Sequence, residues 1–249
     1  MRKLYQDIII NSEVGKTQLA VLIDPDKADV NRIGKFIEQI NQTVATHIFV
    51  GGSETNGISI DDLVLEIKDH TELPVILFPG NANQISKYAD GILFLSLISG
   101  RNADYLIDMQ VKAVDQLYNT ELEVIPTGYL LIESGNITSV ERVSQTKPIS
   151  RENISLIKDT AKAGEYLGMK LIYLEAGSGA LSPINKEIIT AVKEFMDLPL
   201  IVGGGIKSKE AFDQAIEAGA NMVVIGNAFE NDPLFYEYLL KPNFKFSSK

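Results

Sequence analysis

The chain has 249 residues, two histidines, no cysteine and a net charge of -10. That length suits one αβ barrel or two small domains, and the lack of cysteine excludes disulfides, thiolate chemistry and cysteine-held metals. The acidic balance argues against nucleic acid, whose partners carry clustered Lys and Arg. A phosphate would have to be held locally, by backbone amides, helix ends, a metal or a few basic residues.

From the N-terminus, Met1-Arg-Lys-Leu-Tyr-Gln-Asp7 runs into a short apolar patch before Asn11-Ser-Glu13. It lacks the apolar region of a signal peptide, and no later run approaches membrane-span length. A cytoplasmic protein without stable membrane insertion is expected. Eight short apolar runs follow, at 19–24, 47–52, 75–80, 91–97, 123–131, 170–176, 199–204 and 221–226. They lack period-two alternation, as strands buried on both faces do. Amphipathic stretches separate them, at 29–42, 60–69, 102–118, 151–168, 184–197, 208–218 and 229–240. In the first, Val30, Ile33, Ile37 and Ile40 recur at helical spacing. Ser208, with Ala211 three residues on, reads as an N-cap without a full capping box.

Eight strand–helix units predict an α/β fold, a (β/α)8 TIM barrel forming a single domain over residues 1–249, with a doubly wound sheet as the alternative. Only Asn81–Asp90 separates the third strand from the fourth, so the third helix is shortened or replaced. Glu133–Ser150, polar and aperiodic, reads as a long loop on the active face, either a lid or a plain surface excursion. His47 and His70 read as structural.

Chemistry gathers at the strand ends. The first closes Leu22-Ile-Asp24-Pro-Asp26-Lys27, where Asp24 suits either Mg2+ bridging to substrate phosphates or a turn, and Asp26 a turn. The second closes Val50-Gly51-Gly52-Ser53, whose hydroxyl suits a metal or a diphosphate, although Gly-Gly-Ser is also ordinary turn chemistry. The sixth closes Tyr173-Leu-Glu175-Ala-Gly-Ser-Gly179. Alternation puts Tyr173 and Glu175 on one side and Leu174 on the other. A Glu inside a barrel needs a partner or a task at the mouth, as a base or a hydroxyl acceptor. The last two strands end Gly203-Gly204-Gly205 and Gly226-Asn227, 22 residues apart from Gly204 to Gly226. Paired glycine ends at that place form the common barrel phosphate site, here without a Walker or Rossmann pattern.

Together, Leu-Ile-Asp-Pro-Asp-Lys, Val-Gly-Gly-Ser, Tyr-Leu-Glu-Ala-Gly-Ser-Gly-Ala, Val-Gly-Gly-Gly-Ile and Ile-Gly-Asn-Ala resemble the geranylgeranylglyceryl phosphate synthase family, in order over residues 19–230. The resemblance is to the larger group of archaea and some bacteria. The shorter Bacillus-type group has a basic residue where this chain has Leu22. It implies a barrel with an atypical third helix and a prenyltransferase that joins sn-glycerol 1-phosphate to a polyprenyl diphosphate, with Mg2+ as cofactor. The twenty-carbon geranylgeranyl donor is the family's common one, and homodimers or homohexamers are its usual assemblies. Carried over, Asp24 and Ser53 match the metal positions. Tyr173, Leu174, Glu175, Ala176, Gly177, Ser178, Gly179, Gly204, Gly205, Gly226 and Asn227 match the glycerol phosphate site. Glu175 would be the general base and Tyr173 its catalytic companion. For the prenyl tail, Phe78, Tyr88, Phe94, Leu95 and Tyr129 are groove candidates, each also suited to ordinary core. The competing readings are a barrel enzyme acting on a sugar or indole phosphate, with Lys27, Lys170 and Lys207 as the lysines at strand ends, and a non-catalytic phosphate binder.

Overall fold

A computed structural model describes residues 3–28, 30–52, 59–226 and 232–241. Helix α1 (Leu4–Glu13) precedes strand β1 (Gln18–Ile23). There follow α2 (Val30–Gln42), β2 (His47–Val50), α3 (Ile60–Asp69), β3 (Val75–Leu77), β4 (Gly91–Ser96), a π-helical turn (Asp104–Asp108) running into α4 (Met109–Tyr118), β5 (Glu123–Leu131), α5 (Ser139–Ser144) and α6 (Ile154–Tyr166). The chain continues through β6 (Leu171–Glu175), α7 (Lys186–Lys193), β7 (Leu200–Gly203), α8 (Lys209–Glu217), β8 (Met222–Ile225) and α9 (Pro233–Leu239). All eight strands pair in parallel with their sequence neighbours, and β8 closes on β1 through Gln18–Met222 and Val21–Ile225. The (β/α)8 barrel is therefore the fold.

The strands carry apolar residues on both faces because both are covered. Inward, Ala20, Phe49, Ile76, Leu93, Ile125, Ile201 and Met222 fill the barrel. Outward, residues such as Val21, Ile48, Leu130, Ile172 and Val202 meet the helix layer, including Ile33, Ile37 and Ile40 of α2. The helices start on polar caps: Ser59 accepts from the Asp62 N–H, Asn153 from Leu156, Asn185 from Ile188 and Ser208 from Ala211. His47 is buried beside the Thr46 hydroxyl at 2.8 Å, and His70 meets Glu66 at 3.2 Å, both structural placements. No described helix is long and apolar enough to cross a membrane.

One irregularity expected from the short 81–90 connection is present, and two features depart from the sequence expectation. No helix joins β3 to β4. Instead the buried Gln84 bonds the N–H and C=O of Gly52 and the N–H of Gly80, fastening this connection to the end of β2. The 133–150 segment is not a plain loop, since it contains α5. There Asn102 donates to the Ser144 carbonyl at 2.8 Å and the Tyr105 hydroxyl to the Val143 carbonyl at 3.2 Å. The other departure is α1, which the N-terminal pattern does not announce. It closes the barrel floor with Leu4 and Ile8, and its first amides are capped from afar by the Glu123 carboxylate, 3.1 Å from the Tyr5 nitrogen. Replacing Glu123 with Ala is expected to cost about 1 kcal/mol, the usual worth of a helix cap. Urea denaturation would read this, and turnover should stay unchanged because the cap lies at the far end of the barrel.

Candidate active site

The C-terminal ends of the strands surround a cavity of about 650 Å3, a normal size for a ligand site. Its apolar part is walled by Leu22, Phe36, Phe78, Ile85, Phe94 and Leu95, and by Met109, Ala113, Val140 and Val143 from α4 and α5. Its polar part is lined by Asp24, Asp26, Glu175, Gly177, Ser178, Gly179, Gly204, Gly205 and Gly226. Lys27, Arg32, Arg142 and Lys207 also reach it and give an acidic chain local positive charge. Sequence reading gave no ligand role to these four, although Lys207 follows the glycine triplet within two residues.

Glu175 is the central group. It ends β6 with its side chain inside the barrel mouth, 5% exposed. Burial pushes its carboxyl from the ordinary 4.5 up to about 7, because water no longer solvates the charge. The Gly177 N–H, at 2.6 Å, and the Tyr173 and Tyr129 phenols oppose that rise. Both phenols are themselves pushed well above 10, first by burial and then by the Glu175 charge, so they stay protonated donors. The Tyr173 hydroxyl faces Glu175 only loosely. It tempers the carboxyl but completes no hydrogen bond of ordinary geometry among the described residues. A buried donor without an acceptor costs about 1–3 kcal/mol, and a ligand oxygen in the cavity would relieve that cost. Below, the Tyr173, Phe78 and Tyr129 rings pack together, with Phe78 and Tyr173 stacked at 5.2 Å between centroids.

The glycines serve two ends. A side chain on Gly203 would place its Cβ 2.2 Å from the Tyr173 hydroxyl, and one on Gly204 would lie 2.3 Å from Glu175 Oε1. These two glycines therefore make room for the pair on β6. Gly204 and Gly205 also turn the chain through positive φ of 82° and 72°, as Gly177 and Gly179 do at 95° and 80°, a geometry glycine reaches without steric cost. Gly226 faces open space, with nothing within 4 Å of an added Cβ.

Asp24 sits across the mouth. Its Oδ2 pairs with the Lys27 ammonium at 2.8 Å and its Oδ1 accepts from the Asp26 N–H at 3.2 Å. A Cβ on Gly52 would come within 2.7 Å of Oδ1, so the bare glycine keeps space in front of this carboxylate. Ser53 and Asn227 lie outside the described residues.

Two of the expected site residues lie beside the cavity with their side chains turned away from it. Leu174 and Ala176 turn their side chains outward into the helix-facing core, both fully buried, because strand alternation sends them away from Tyr173 and Glu175. They give the cavity no side chain. Among the groove candidates, Phe78, Phe94, Leu95 and Tyr129 line the cavity. Tyr88 does not, lying partly exposed under the Lys87 ammonium. No described lysine stands within a barrel strand.

A model of the PcrB family matches residues 12–242. The chain belongs to that family. It is 53% identical to the geranylgeranylglyceryl phosphate synthase of Flavobacterium johnsoniae, covering 94% of this chain and 96% of that one. It is 41% identical to the enzyme of that name from the archaeon Korarchaeum cryptofilum, covering 86% and 88%. Among solved structures, the synthase of Thermoplasma acidophilum in complex with its substrate sn-glycerol-1-phosphate superposes with a TM-score of 0.87 at 33% identity, covering 98% of this chain and 97% of that one. The wild-type synthase of Thermoplasma volcanium gives the same score at 34% identity over 96% and 95%.

Two outcomes follow for the family site in this chain. Gly203→Ala is expected to destabilise the fold by about 1–3 kcal/mol, the usual cost of overpacking. Tyr173→Phe should recover part of that loss in a double-mutant cycle read by denaturant unfolding. Glu175 holds its proton in the folded protein where the unfolded chain has released it, so its burial costs stability as pH rises from about 4.5 to about 7 and no more beyond. Glu175→Gln should therefore gain up to about 3 kcal/mol over wild type above pH 7, a gap that closes near pH 4.5.

Proposed function

We propose that this chain is a prenyltransferase joining sn-glycerol 1-phosphate to a polyprenyl diphosphate, with geranylgeranyl diphosphate as donor, to form a prenylglyceryl phosphate ether and diphosphate. Supporting this is a single cavity, among the described residues, that pairs a buried carboxylate and glycine turns with an apolar channel. Such a cavity suits a small polar acceptor beside a long apolar donor. The synthase names of the relatives and the glycerol phosphate complex of the Thermoplasma acidophilum neighbour point the same way.

In this reading the acceptor's phosphate rests on Gly177, Ser178, Gly179, Gly204, Gly205 and Gly226, with Lys207 close by. Positive-φ glycines let backbone amides approach an anion. The acceptor's free hydroxyl then lies at Glu175. Its proton passes to the Glu175 carboxylate as its oxygen bonds to C1 of the prenyl chain, and the C1–diphosphate bond breaks. Tyr173 donates to the acceptor oxygen and keeps Glu175 aligned. The Phe78, Tyr129 and Tyr173 rings exclude water from the developing allylic charge and offer it their π faces.

Asp24 is the residue that would hold Mg2+, with Ser53 its proposed companion. No three carboxylate or imidazole groups converge among the described residues. This fits an ion that takes the rest of its shell from substrate phosphates and water. When bound, Mg2+ neutralises charge on the leaving diphosphate. We also propose that the chain self-associates, as a homodimer or a homohexamer.

The deciding assay gives the enzyme labelled glycerol phosphate of each enantiomer and a panel of prenyl diphosphates, then follows label into butanol-extractable lipid. Product is expected from the sn-1 enantiomer, lost with EDTA and restored by Mg2+. A sugar or indole phosphate turned over instead would refute the reading. Glu175→Gln is expected to lower kcat by about 10²–10⁴, the usual worth of a general base, with glycerol phosphate binding by calorimetry kept. Near-wild-type kcat would remove the base role. Asp24→Asn should act on the donor side alone, raising the KM for prenyl diphosphate and the Mg2+ requirement.

A further inference from the structure

Residues 176–185, between β6 and α7, form neither helix nor strand, yet Gly177, Ser178 and Gly179 among them line the cavity. The backbone of this turn bonds to itself from the Ala180 N–H to the Gly177 carbonyl, at 3.1 Å. Its carbonyls are gripped by side chains from other segments. Asn136 donates to Gly179 at 2.9 Å, and the Lys207 ammonium to Ala180 at 3.2 Å. Arg151 Nη2 donates to Ser182 at 3.1 Å and to Pro183 as well. Thr138 adds a packing contact, since a Cβ on Gly177 would stand 2.4 Å from its Cγ2.

Asn136, Thr138 and Arg151 belong to one stretch, which follows β5, and that stretch is itself fastened. Arg151 Nε donates to the Glu133 carbonyl at 2.6 Å. The Glu133 N–H donates to the Ile149 carbonyl and the Ile149 N–H to the Leu131 carbonyl, each at 2.9 Å, so both ends of the stretch are tied to the end of β5. The buried Ser134 hydroxyl donates to the Asn136 side chain at 3.3 Å. Neither Asn136 nor Arg151 lines the cavity, but what they hold does reach it. A Cβ on Gly205 would meet Pro183 N at 3.0 Å and the Ser182 carbonyl carbon at 3.1 Å, so the turn after β7 rests on the peptide that Arg151 grips. A guanidinium suits this task, since its planar fork fixes several donors at once.

We infer that Arg151 and Asn136 are positioning residues for the acceptor, and that the stretch from Asn136 to Arg151 is a brace rather than a lid. The brace holds the glycine turns after β6 and β7 in the shape an anion needs before the anion arrives. A loop without ladder bonds must otherwise be ordered at the moment of binding, which weakens affinity. The inference rests on the acceptor site proposed above and adds what shapes it. The donor end is held separately, since Asn102 and Tyr105 secure α5. Glu175 is held by the Gly177 amide and two phenols, and neither Arg151 nor Asn136 bonds to any of these.

Steady-state kinetics with both substrates varied, and calorimetry with sn-glycerol 1-phosphate alone, test this on the full chain. Arg151→Ala is expected to raise the acceptor KM and Kd by about 10- to 100-fold, the worth of hydrogen bonds from a charged donor. Asn136→Ala, at an exposed position and losing one neutral donor, should raise them by about 2- to 10-fold. Arg151→Lys should recover part of the loss, since an ammonium keeps the charge but not the fork. In each variant kcat, its pH midpoint and the prenyl diphosphate KM should stay at wild-type values, the pattern of lost acceptor binding. If Arg151→Ala does not fold by circular dichroism, Arg151→Lys and Asn136→Ala carry the test. Variants with wild-type acceptor KM and Kd would overturn the inference, while wild-type turnover keeps the proposed function. Losses spread equally over both KM values and kcat would overturn it too, as the mark of a merely loosened fold. A wild type that neither binds sn-glycerol 1-phosphate nor makes lipid from it would remove the proposed function and this inference together.

Discussion

A carboxylate buried at a barrel mouth has to be held by donors, and much of this site follows from how Glu175 is held. The Gly177 amide reaches it because the chain turns back at positive φ immediately after β6. Gly204 leaves the space that Oε1 occupies, and Gly203 leaves the space for the Tyr173 hydroxyl above the aromatic cluster. The balance is deliberate in energetic terms. Desolvation raises the carboxyl while one amide and two phenols pull it back, leaving a group poised near neutral pH, where a general base works best. Full satisfaction by fixed donors would have made it an inert anion.

The two ends of the cavity are built by different means. The polar end is made largely of backbone: glycine turns after β6 and β7, with Gly226 at the end of β8. The apolar end is made of side chains, many of them on elements that depart from a regular barrel. The helix-free connection pinned by Gln84, the π turn before α4, and α5 together line the wall of this end. A π turn often marks such a functional departure. Here it sets Tyr105, which lines the cavity, to hold the carbonyl end of α5.

The alternation of buried strands and amphipathic helices was legible because every strand is covered on both faces. The β6 motif showed its own geometry, with Tyr173 and Glu175 inward. The same alternation turns the Leu174 and Ala176 side chains outward, so only their backbone faces the site. Other features were not local. Glu123 caps α1 from 119 positions away, and three consecutive isoleucines at 8–10 suggest a strand more than a helix. Helix α5 is six residues long, too short for periodicity, although Thr138 and Glu141 carry the spacing of a capping box. The packing role of Gly203 and Gly204 depends on side chains one strand away, so the triplet alone suggested only phosphate.

The central claim is that burial holds the Glu175 carboxyl near neutral pH, as its proposed role as a base requires. Carbon-13 NMR of protein labelled at the glutamate carboxyls, with the Glu175→Gln spectrum assigning the signal, measures this directly. The account predicts a titration midpoint near 7 for this one carboxyl. A midpoint in the ordinary carboxylate range, around 4.5, would show that Glu175 is already charged and fully solvated or paired, and would contradict it.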